Sequence, residues 1–346
     1  MPKNSSPHRP PLSPAVADVR VAVRRALITA RNSGLSEGDL VLVALSGGPD
    51  SLALASATAF EAPKLGLRAG AVIVDHALQP GSGDIAARAA AAADGMGLAP
   101  VVVRRVEVSW GSGPESAARD ARYRALAVVA DETDAGSVLL GHTLDDQAET
   151  VLLGLARGSG AASLRGMAAV NGIYLRPLLD VRRATTHAAC DAEGLQPWTD
   201  PHNSDARFSR VRVRNTVLPV LESELGPGVA EALVRTADQL REDSEALDHM
   251  VEEMIEEICE PAEAGIAVSA SALAVNPAAL RNRIIRLIAS SEFGRSLDRG
   301  HTVEVARLVT DWHGQGPIDV PGIRVTRESG RIVFTAREDG SASPLG

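Results

Sequence analysis

The sequence predicts an α/β protein: a doubly wound parallel sheet followed by a second, smaller and mostly helical C-terminal domain. Three observations carry that prediction. Short apolar runs rich in Val, Leu and Ile alternate with helix-like runs of about 10–15 residues, the pattern of a parallel sheet covered on both faces. The first apolar run, Leu40–Leu45, breaks at the glycine-rich turn Ser46-Gly47-Gly48-Pro49-Asp50-Ser51, and a helix-like run follows at once. After Pro219 the alternation stops and long helical stretches take over.

Taken in order, residues 1–15 are polar and Pro-rich and read as a disordered tail. Val16 to about Arg31 reads as an amphipathic helix. Strands are expected at Leu40–Leu45, Ala71–Asp75, Pro100–Val108, Ser137–Gly141 and Ile173–Leu175. Helices are expected at Ser51–Phe60, Ile85–Met96, Pro114–Asp131, Leu144–Arg157 and Arg182–Glu193. Beyond the boundary, helices are expected from about Val229 to Glu260, over Pro277–Glu292 and over Thr302–Trp312. Strand and turn then alternate at Ile318–Val320, Ile323–Arg327 and Arg331–Thr335. The expected division is a catalytic domain over 16–222, a helical or α+β domain over 223–336, and a tail over 337–346.

Composition narrows the function. Hydrophobic residues make up 45% of 346, enough for a core, while aromatics are only 3%, so Ala, Val and Leu must fill it. The two cysteines, Cys190 and Cys259, form no CxxC pair, which argues against a disulfide framework, a Cys-rich zinc site or an iron–sulfur cluster. The N-terminus lacks the apolar segment of a signal peptide, and no run is long enough to span a membrane, so a cytoplasmic protein is expected. A net charge of −9 counts against a generic nucleic-acid binder, yet Arg207, Arg210, Arg212 and Arg214 form a local basic run.

The turn at Ser46–Ser51 is the first segment with chemistry. A strand end, two glycines and a helix start make a concave nest of backbone N–H groups, and the helix N-terminus adds partial positive charge. The hydroxyls of Ser46 and Ser51 are further donors. No lysine is present, which separates this turn from the lysine-bearing loop of common nucleotide hydrolases. Asp50 would repel a phosphate unless a cation such as magnesium lay between them. A tight turn in which Ser51 caps a helix is the plain structural alternative.

Here the sequence resembles the PP-loop ATP pyrophosphatases. Their SGGxDS loop matches Ser46-Gly47-Gly48-Pro49-Asp50-Ser51. The resemblance implies that ATP is cleaved between its α- and β-phosphates, that this loop holds the pyrophosphate, and that AMP passes to an oxygen of the substrate. It places Asp75 and His76, at the end of the second strand, beside the adenosine. Arg119 and Arg122, three apart on one helix face, would then stabilise charge developing at the α-phosphate. In Gly141-His142-Thr-Leu-Asp145-Asp146-Gln147-Ala-Glu149, a strand ends and a helix begins; His142, Asp146 and Glu149 fall near one face of its start. That is where α/β sheets place their sites.

Together with Arg157-Gly-Ser-Gly160, Arg176-Pro-Leu-Leu179 and Trp198-Thr-Asp200-Pro-His-Asn203, these segments resemble the tRNA(Ile)-lysidine synthetase branch of that family. The resemblance is strong over about residues 40–220 and weaker beyond. It implies adenylylation of a tRNA cytidine by ATP with magnesium, then attack by the amine of free L-lysine, with tRNA(Ile) bearing CAU as partner and a homodimer as the family's habit. Asp50 and Asp145 lean toward magnesium, and Asp146 and Glu149 toward the lysine cation, with His142 or Asp146 taking its proton. Arg207, Phe208, Arg210, Arg212 and Arg214 are the expected tRNA contacts; Trp110, Tyr123, Trp198 and Trp312 are the other aromatics available for stacking. In this chain the branch's Arg-Asn pair is displaced to Arg214-Asn215, and Arg210 and Arg212 are favoured for its role. Competing readings are an amide-forming synthetase relative, a tRNA thiolase needing cysteines near the site, and a non-catalytic nucleotide sensor.

Overall fold

The computed structural model describes residues 12–77, 81–106, 114–158, 161–198, 205–263 and 265–337. Two compact units are present, Met1–Leu240 and Arg241–Gly346. The division falls inside the long helix Val229–Ile258.

The first unit opens with α1 (Pro14–Asn32), starting inside the stretch expected as a tail; Pro14 occupies the first helical position, where its missing N–H costs nothing. There follow β1 (Leu40–Ala44), α2 (Pro49–Glu61), β2 (Arg68–Asp75), α3 (Ser82–Gly95), β3 (Val101–Arg105), α4 (Pro114–Glu132), β4 (Ala135–Leu139) and α5 (Leu144–Ala156). A short helix α6 (Ala161–Leu164) leads to β5 (Val170–Asn171), β6 (Tyr174–Leu175) and α7 (Arg183–Glu193). The strand order is β3-β2-β1-β4-β6-β5. All pairings are parallel except β5 with β6. The doubly wound expectation holds. The antiparallel edge hairpin, two residues per strand, is too short to show as a period in the sequence.

Alternation along β1 sends its side chains to both faces. Val41 and Val43 join one core with α1, α2, α3 and α7, while Leu40 and Leu42 join another with Leu126, Val129 and Ala130 of α4. The chain order reverses between β1 and β4, so the carboxyl ends of these neighbouring strands open a crevice that α2 and α5 flank.

The arginine run, with no assigned element in the sequence reading, is helical: α8 (Ser209–Arg212), a π-helical turn over Val213–Val217, and α9 (Leu218–Leu225). The helix α10 (Val229–Ile258) follows.

The second unit holds β7 (Cys259–Ala262), β8 (Gly265–Ser269), α11 (Ala270–Val275), α12 (Ala278–Phe293), α13 (Arg299–Thr310), β9 (Ile318–Val320), β10 (Ile323–Glu328) and β11 (Arg331–Ala336). Its five strands form an antiparallel sheet in the order β7-β8-β11-β10-β9. Ile332 and Phe334 of β11 pack with Ile284, Ile285 and Ile288 of α12. The sheet exceeds the three strands read from the sequence, because β7 carries Glu260 and Pro261 and shows no apolar alternation.

Helices α1 and α2 are joined by a buried carboxylate. Glu61 is fully buried, and Arg24 donates to it through Nε and Nη2 at 2.8 Å each, with Lys64 at 3.2 Å. The Arg24 fork holds the Glu61 carboxyl below the usual glutamate range, against the burial that pushes it up. A depressed carboxyl adds stability above the unfolded-state pKa, and that stability is lost as pH falls through the folded-state value. Arg24→Gln is therefore expected to lower Tm by about 2–5 °C at pH 7, with the gap to the unmodified protein closing only as pH falls below about 4, which thermal melts across pH would check.

Candidate active site

The loop after β1 is built to leave donors free. Gly47 adopts φ +82°, and Gly48 stands at the N-cap of α2 with no side chain to satisfy the first turn. The N–H groups at that end are thus oriented for an anion. The hydroxyls of Ser46 and Ser51 lie 3.1 Å apart, and Ser51 donates to the Gly48 carbonyl at 2.9 Å. Behind the loop, the buried Cys190 donates its S–H to the Pro49 carbonyl at 3.3 Å. Burial pushes that thiol up to about 11, so it is a packing group rather than a thiolate.

A cavity of about 480 Å³ lies over the carboxyl ends of β1, β2 and β4, within the range of small-ligand sites. Ser46, Gly48, Asp50, Ser51, Asp75, His76, Arg122, His142 and Asp146 all line it. The structure thus brings together segments that stand far apart in the sequence. Gly141 makes the approach of β4 to the loop feasible: a Cβ there would sit 3.2 Å from the backbone C of Asp50 and N of Ser51.

At the start of α5, Thr143 and Asp146 form a capping box. The Thr143 N–H and O–H donate to Asp146 Oδ2 at 2.8 and 2.9 Å. Burial raises the Asp146 carboxyl, but Arg183, the Thr143 N–H and nearby His142 and Arg214 outweigh it and hold it low. Glu149 is fully buried and receives Arg183 at 3.2 Å and Arg214 at 2.7 and 3.0 Å, with Arg210 Nε at 3.4 Å. His142 is pushed down to about 3, chiefly by burial, with Arg122, Arg176 and Arg210 adding to it. Its ring is therefore neutral at pH 7, and its buried Nδ1 has no hydrogen-bond partner among the described residues.

Opposite these acids stands a cluster of arginines. Arg122 faces the cavity, and its pKa is lowered first by burial and then by Arg119, Arg210 and Arg176. Arg119, its expected partner, is exposed, 5.1 Å from the Tyr123 ring centroid, and does not line the cavity. Arg176 is buried, donating to the Ala168 carbonyl at 2.8 Å and the Tyr123 hydroxyl at 3.3 Å. Asp75 accepts from the Ala77 N–H at 2.9 Å; burial lifts its carboxyl, and that bond together with the Ser82 hydroxyl brings it below the usual range. His76 is lowered by burial and by Arg122.

The basic run divides. Arg210 and Arg214, four apart on one face, turn inward: Arg210 donates to the Thr150 hydroxyl at 2.6 Å, and Arg214 reaches Asp146 at 3.1 Å and lines the cavity. Arg207 and Arg212 stay exposed, and Phe208 is half-buried. Ser159, Gly160, residues 199–204 and Trp110 lie outside the described residues. Trp198 lines the cavity, its N–H donating to the Gly47 carbonyl at 2.9 Å.

The donor set admits magnesium at one end only. Burial raises the Asp50 carboxyl, Asp146 adds to the rise, and the Thr186 hydroxyl and Arg183 only partly offset it; a divalent cation at Asp50 would relieve that. One carboxylate with water and phosphate oxygens is an ordinary magnesium set. Asp145 is not placed for it. Its Oδ2 accepts from the Arg183 N–H at 2.7 Å, its Oδ1 faces Arg182 at 3.3 Å, and it does not line the cavity. Arg183 and Thr186 escaped the sequence reading, since nothing in the spacing of α7 ties it to α5 or to the loop.

An anion nest at a helix start, set at the switch point of a parallel sheet with acids and arginines facing each other across it, defines a nucleotide-using α/β protein of the PP-loop class. A family profile described as a PP-loop domain matches residues 20–221, and one described as the TilS substrate binding domain matches residues 269–333. The tRNA(Ile)-lysidine synthase of Leifsonia xyli subsp. xyli is 59% identical, covering 88% of this chain and 92% of its own. That of Thermobifida fusca is 52% identical over 93% of this chain and 98% of its own. The chain belongs to the tRNA(Ile)-lysidine synthase family. Among solved structures, the U34-tRNA thiolase NcsA from Methanococcus maripaludis matches with a TM-score of 0.54 at 20% identity, over 66% of this chain and 80% of that one, a likeness of fold alone.

Gly141→Ala would push a methyl against the Asp50–Ser51 backbone. Its kcat/KM for ATP is expected to fall about tenfold with the melting temperature nearly unchanged, whereas Gly95→Ala, which meets nothing within 4 Å, keeps full activity; steady-state kinetics of the two variants decide it.

Proposed function

We propose that the protein joins free L-lysine to C2 of cytidine 34 in the CAU anticodon of tRNA(Ile), consuming ATP and releasing AMP and pyrophosphate. The observation that carries this reading is the single cavity in which the first loop, Arg122, His142 and Asp146 meet, in a chain of this family. In the first step the cytidine O2 attacks the α-phosphorus of ATP and pyrophosphate leaves. In the second the lysine side-chain amine adds to C2, loses a proton, and the C2–O2 bond breaks with AMP carrying the oxygen away.

The residues divide this work by charge. The loop Ser46–Ser51 grips the departing pyrophosphate with backbone N–H groups and hydroxyls. Asp75 and His76 border the adenosine. Arg122, with Arg176 and Arg210 behind it, faces the negative charge that grows at the α-phosphate in a site screened from water. Asp50 would hold magnesium, which neutralises phosphate charge when bound. A free lysine amine has an unperturbed pKa near 10.4 and arrives protonated. Asp146, kept ionised by its partners, offers it a counter-charge, and His142 or Asp146 takes its proton. Glu149, saturated by arginines, serves Asp146 by holding Arg183 and Arg214 in place.

Exposed Arg207 and Arg212, with Phe208, are the tRNA contacts this reading favours on the first unit, and the 269–333 segment is the second contact region. No described helix is long and apolar enough to cross a membrane. The proposed substrates favour a cytoplasmic enzyme, and a homodimer is the assembly this reading expects.

Purified protein with ATP, magnesium and tRNA(Ile) bearing CAU is expected to release pyrophosphate. Lysine is expected to add AMP release and a tRNA mass gain of one lysine minus water. Pyrophosphate release with a small-molecule acceptor but with no tRNA would overturn the reading. In the same assay Asp50→Asn is expected to raise the magnesium concentration for half-maximal pyrophosphate release about tenfold or more, while Asp145→Asn leaves it unchanged; equal effects would return Asp145 to the metal.

A further inference from the structure

Helix α7 begins with a residue that touches Asp50, Asp145, Asp146 and Glu149. The Arg183 Nη2 donates to Asp146 Oδ1 at 2.8 Å and Glu149 Oε1 at 3.2 Å, and its Nη1 reaches that glutamate oxygen at 3.3 Å. Its Nε lies 3.7 Å from Asp50 Oδ2, and its peptide N–H donates to Asp145 Oδ2 at 2.7 Å. One turn on, the Thr186 hydroxyl donates to Asp50 Oδ1. A single helical turn therefore spans from the acid of the first loop to the three acids of α5.

We propose that Arg183 is a positioning residue of the ligation step, fixing Asp146 where the incoming amine must meet it, while Thr186 positions Asp50 for the adenylylation step. The proposal rests on the ligation reading given above. Its ground is the inequality of the contacts. The hydrogen bonds of the Arg183 guanidinium fall on α5, and toward Asp50 it offers only an ion pair at 3.7 Å. Charge alone does not explain the arrangement, because Arg214 also pairs with both Asp146 and Glu149. What Arg183 adds to that pairing is its place at the start of α7, where its peptide N–H holds Asp145 and its guanidinium also faces Asp50, in a planar fork that a lysine ammonium cannot reproduce. Arg214 also keeps the buried acids paired when Arg183 is changed, so the Arg183→Lys protein is expected to fold.

The two half-reactions separate the roles. Pyrophosphate release with tRNA and ATP, without lysine, reports adenylylation; the lysine dependence of AMP release then reports ligation. Arg183→Lys is expected to leave the first within about threefold and to raise the KM for lysine, or slow AMP release, about tenfold or more. Thr186→Val is expected to do the reverse, slowing pyrophosphate release about tenfold while sparing the lysine step, and Thr186→Ser to restore it. Thermal melts accompany each variant. If Arg183→Lys slows both halves equally, slows neither, or loses activity only in step with a lowered Tm, Arg183 is a structural ion-pair partner and the proposal falls. If the unmodified protein releases no pyrophosphate with tRNA, the ligation reading falls and takes this proposal with it.

Discussion

The first unit is organised around one buried carboxylate. Glu149 is fully buried and would be untenable there alone, since an unpaired charge of that size in a low-dielectric interior costs several kcal/mol even after relaxation. Arginines from three separate places meet it: Arg183 at the start of α7, Arg210 of α8, and Arg214 of the π-helical turn. Each draws its own element onto α5. Asp146, Asp145 and Asp50 then complete the charge balance with Arg183, Arg214 and Arg182. The π-helical turn carries Arg214, four residues beyond Arg210 and on the same inward face.

This balance has a chemical consequence. Acids and arginines do not neutralise one another uniformly around the cavity. Asp146 is held ionised by its partners. Arg122 is lowered by burial and by Arg119, Arg210 and Arg176. The first arrangement suits a cation such as an ammonium, the second a polyphosphate. His142 feels both, with Asp146 raising its pKa and three arginines lowering it. Phosphate charge at those arginines would weaken the lowering influence, so the ring becomes more basic as the nucleotide binds.

Much of this was legible in the sequence. The parallel sheet was readable because β1, β2 and β4 are continuous apolar runs between helices with clear periods, and the loop because its glycines, serines and aspartate have no ordinary structural use in that combination. Asp50, Asp75, His76, Arg122, His142 and Asp146 were found from those motifs and share one cavity. The illegible part has a common physical character: it depends on which elements the fold folds back. Arg183 is one half of an ordinary Arg-Arg pair until the fold brings the start of α7 within reach of Asp145 and Asp146. The run Arg207–Arg214 looks uniformly basic, yet helical spacing sends Arg210 and Arg214 inward and leaves Arg207 and Arg212 outside. Asp145 and Asp146 are neighbours in sequence but point apart on the helix, so only one reaches the cavity. In the second unit, β7 and β8 were missed because pairing, of β7 with β8 and of β8 with β11, rather than alternation makes them strands.

The overall charge of −9 was the observation that most opposed a nucleic-acid partner. Its weight shrinks once charges are located. Glu252, Glu253, Glu256 and Glu257 are exposed at the end of α10 and belong to the second unit; exposed charges are screened beyond about 8–10 Å. In the first unit Arg122 and Arg214 line the cavity, Arg176 and Arg210 are buried or half-buried, and Arg207 and Arg212 are exposed. A polyanion approaching that region meets a local field set by those residues rather than by the sum over the chain. Net charge therefore bounds solubility and long-range attraction, and placement along the run sets which arginines turn inward onto Thr150 and Glu149 and which stay exposed.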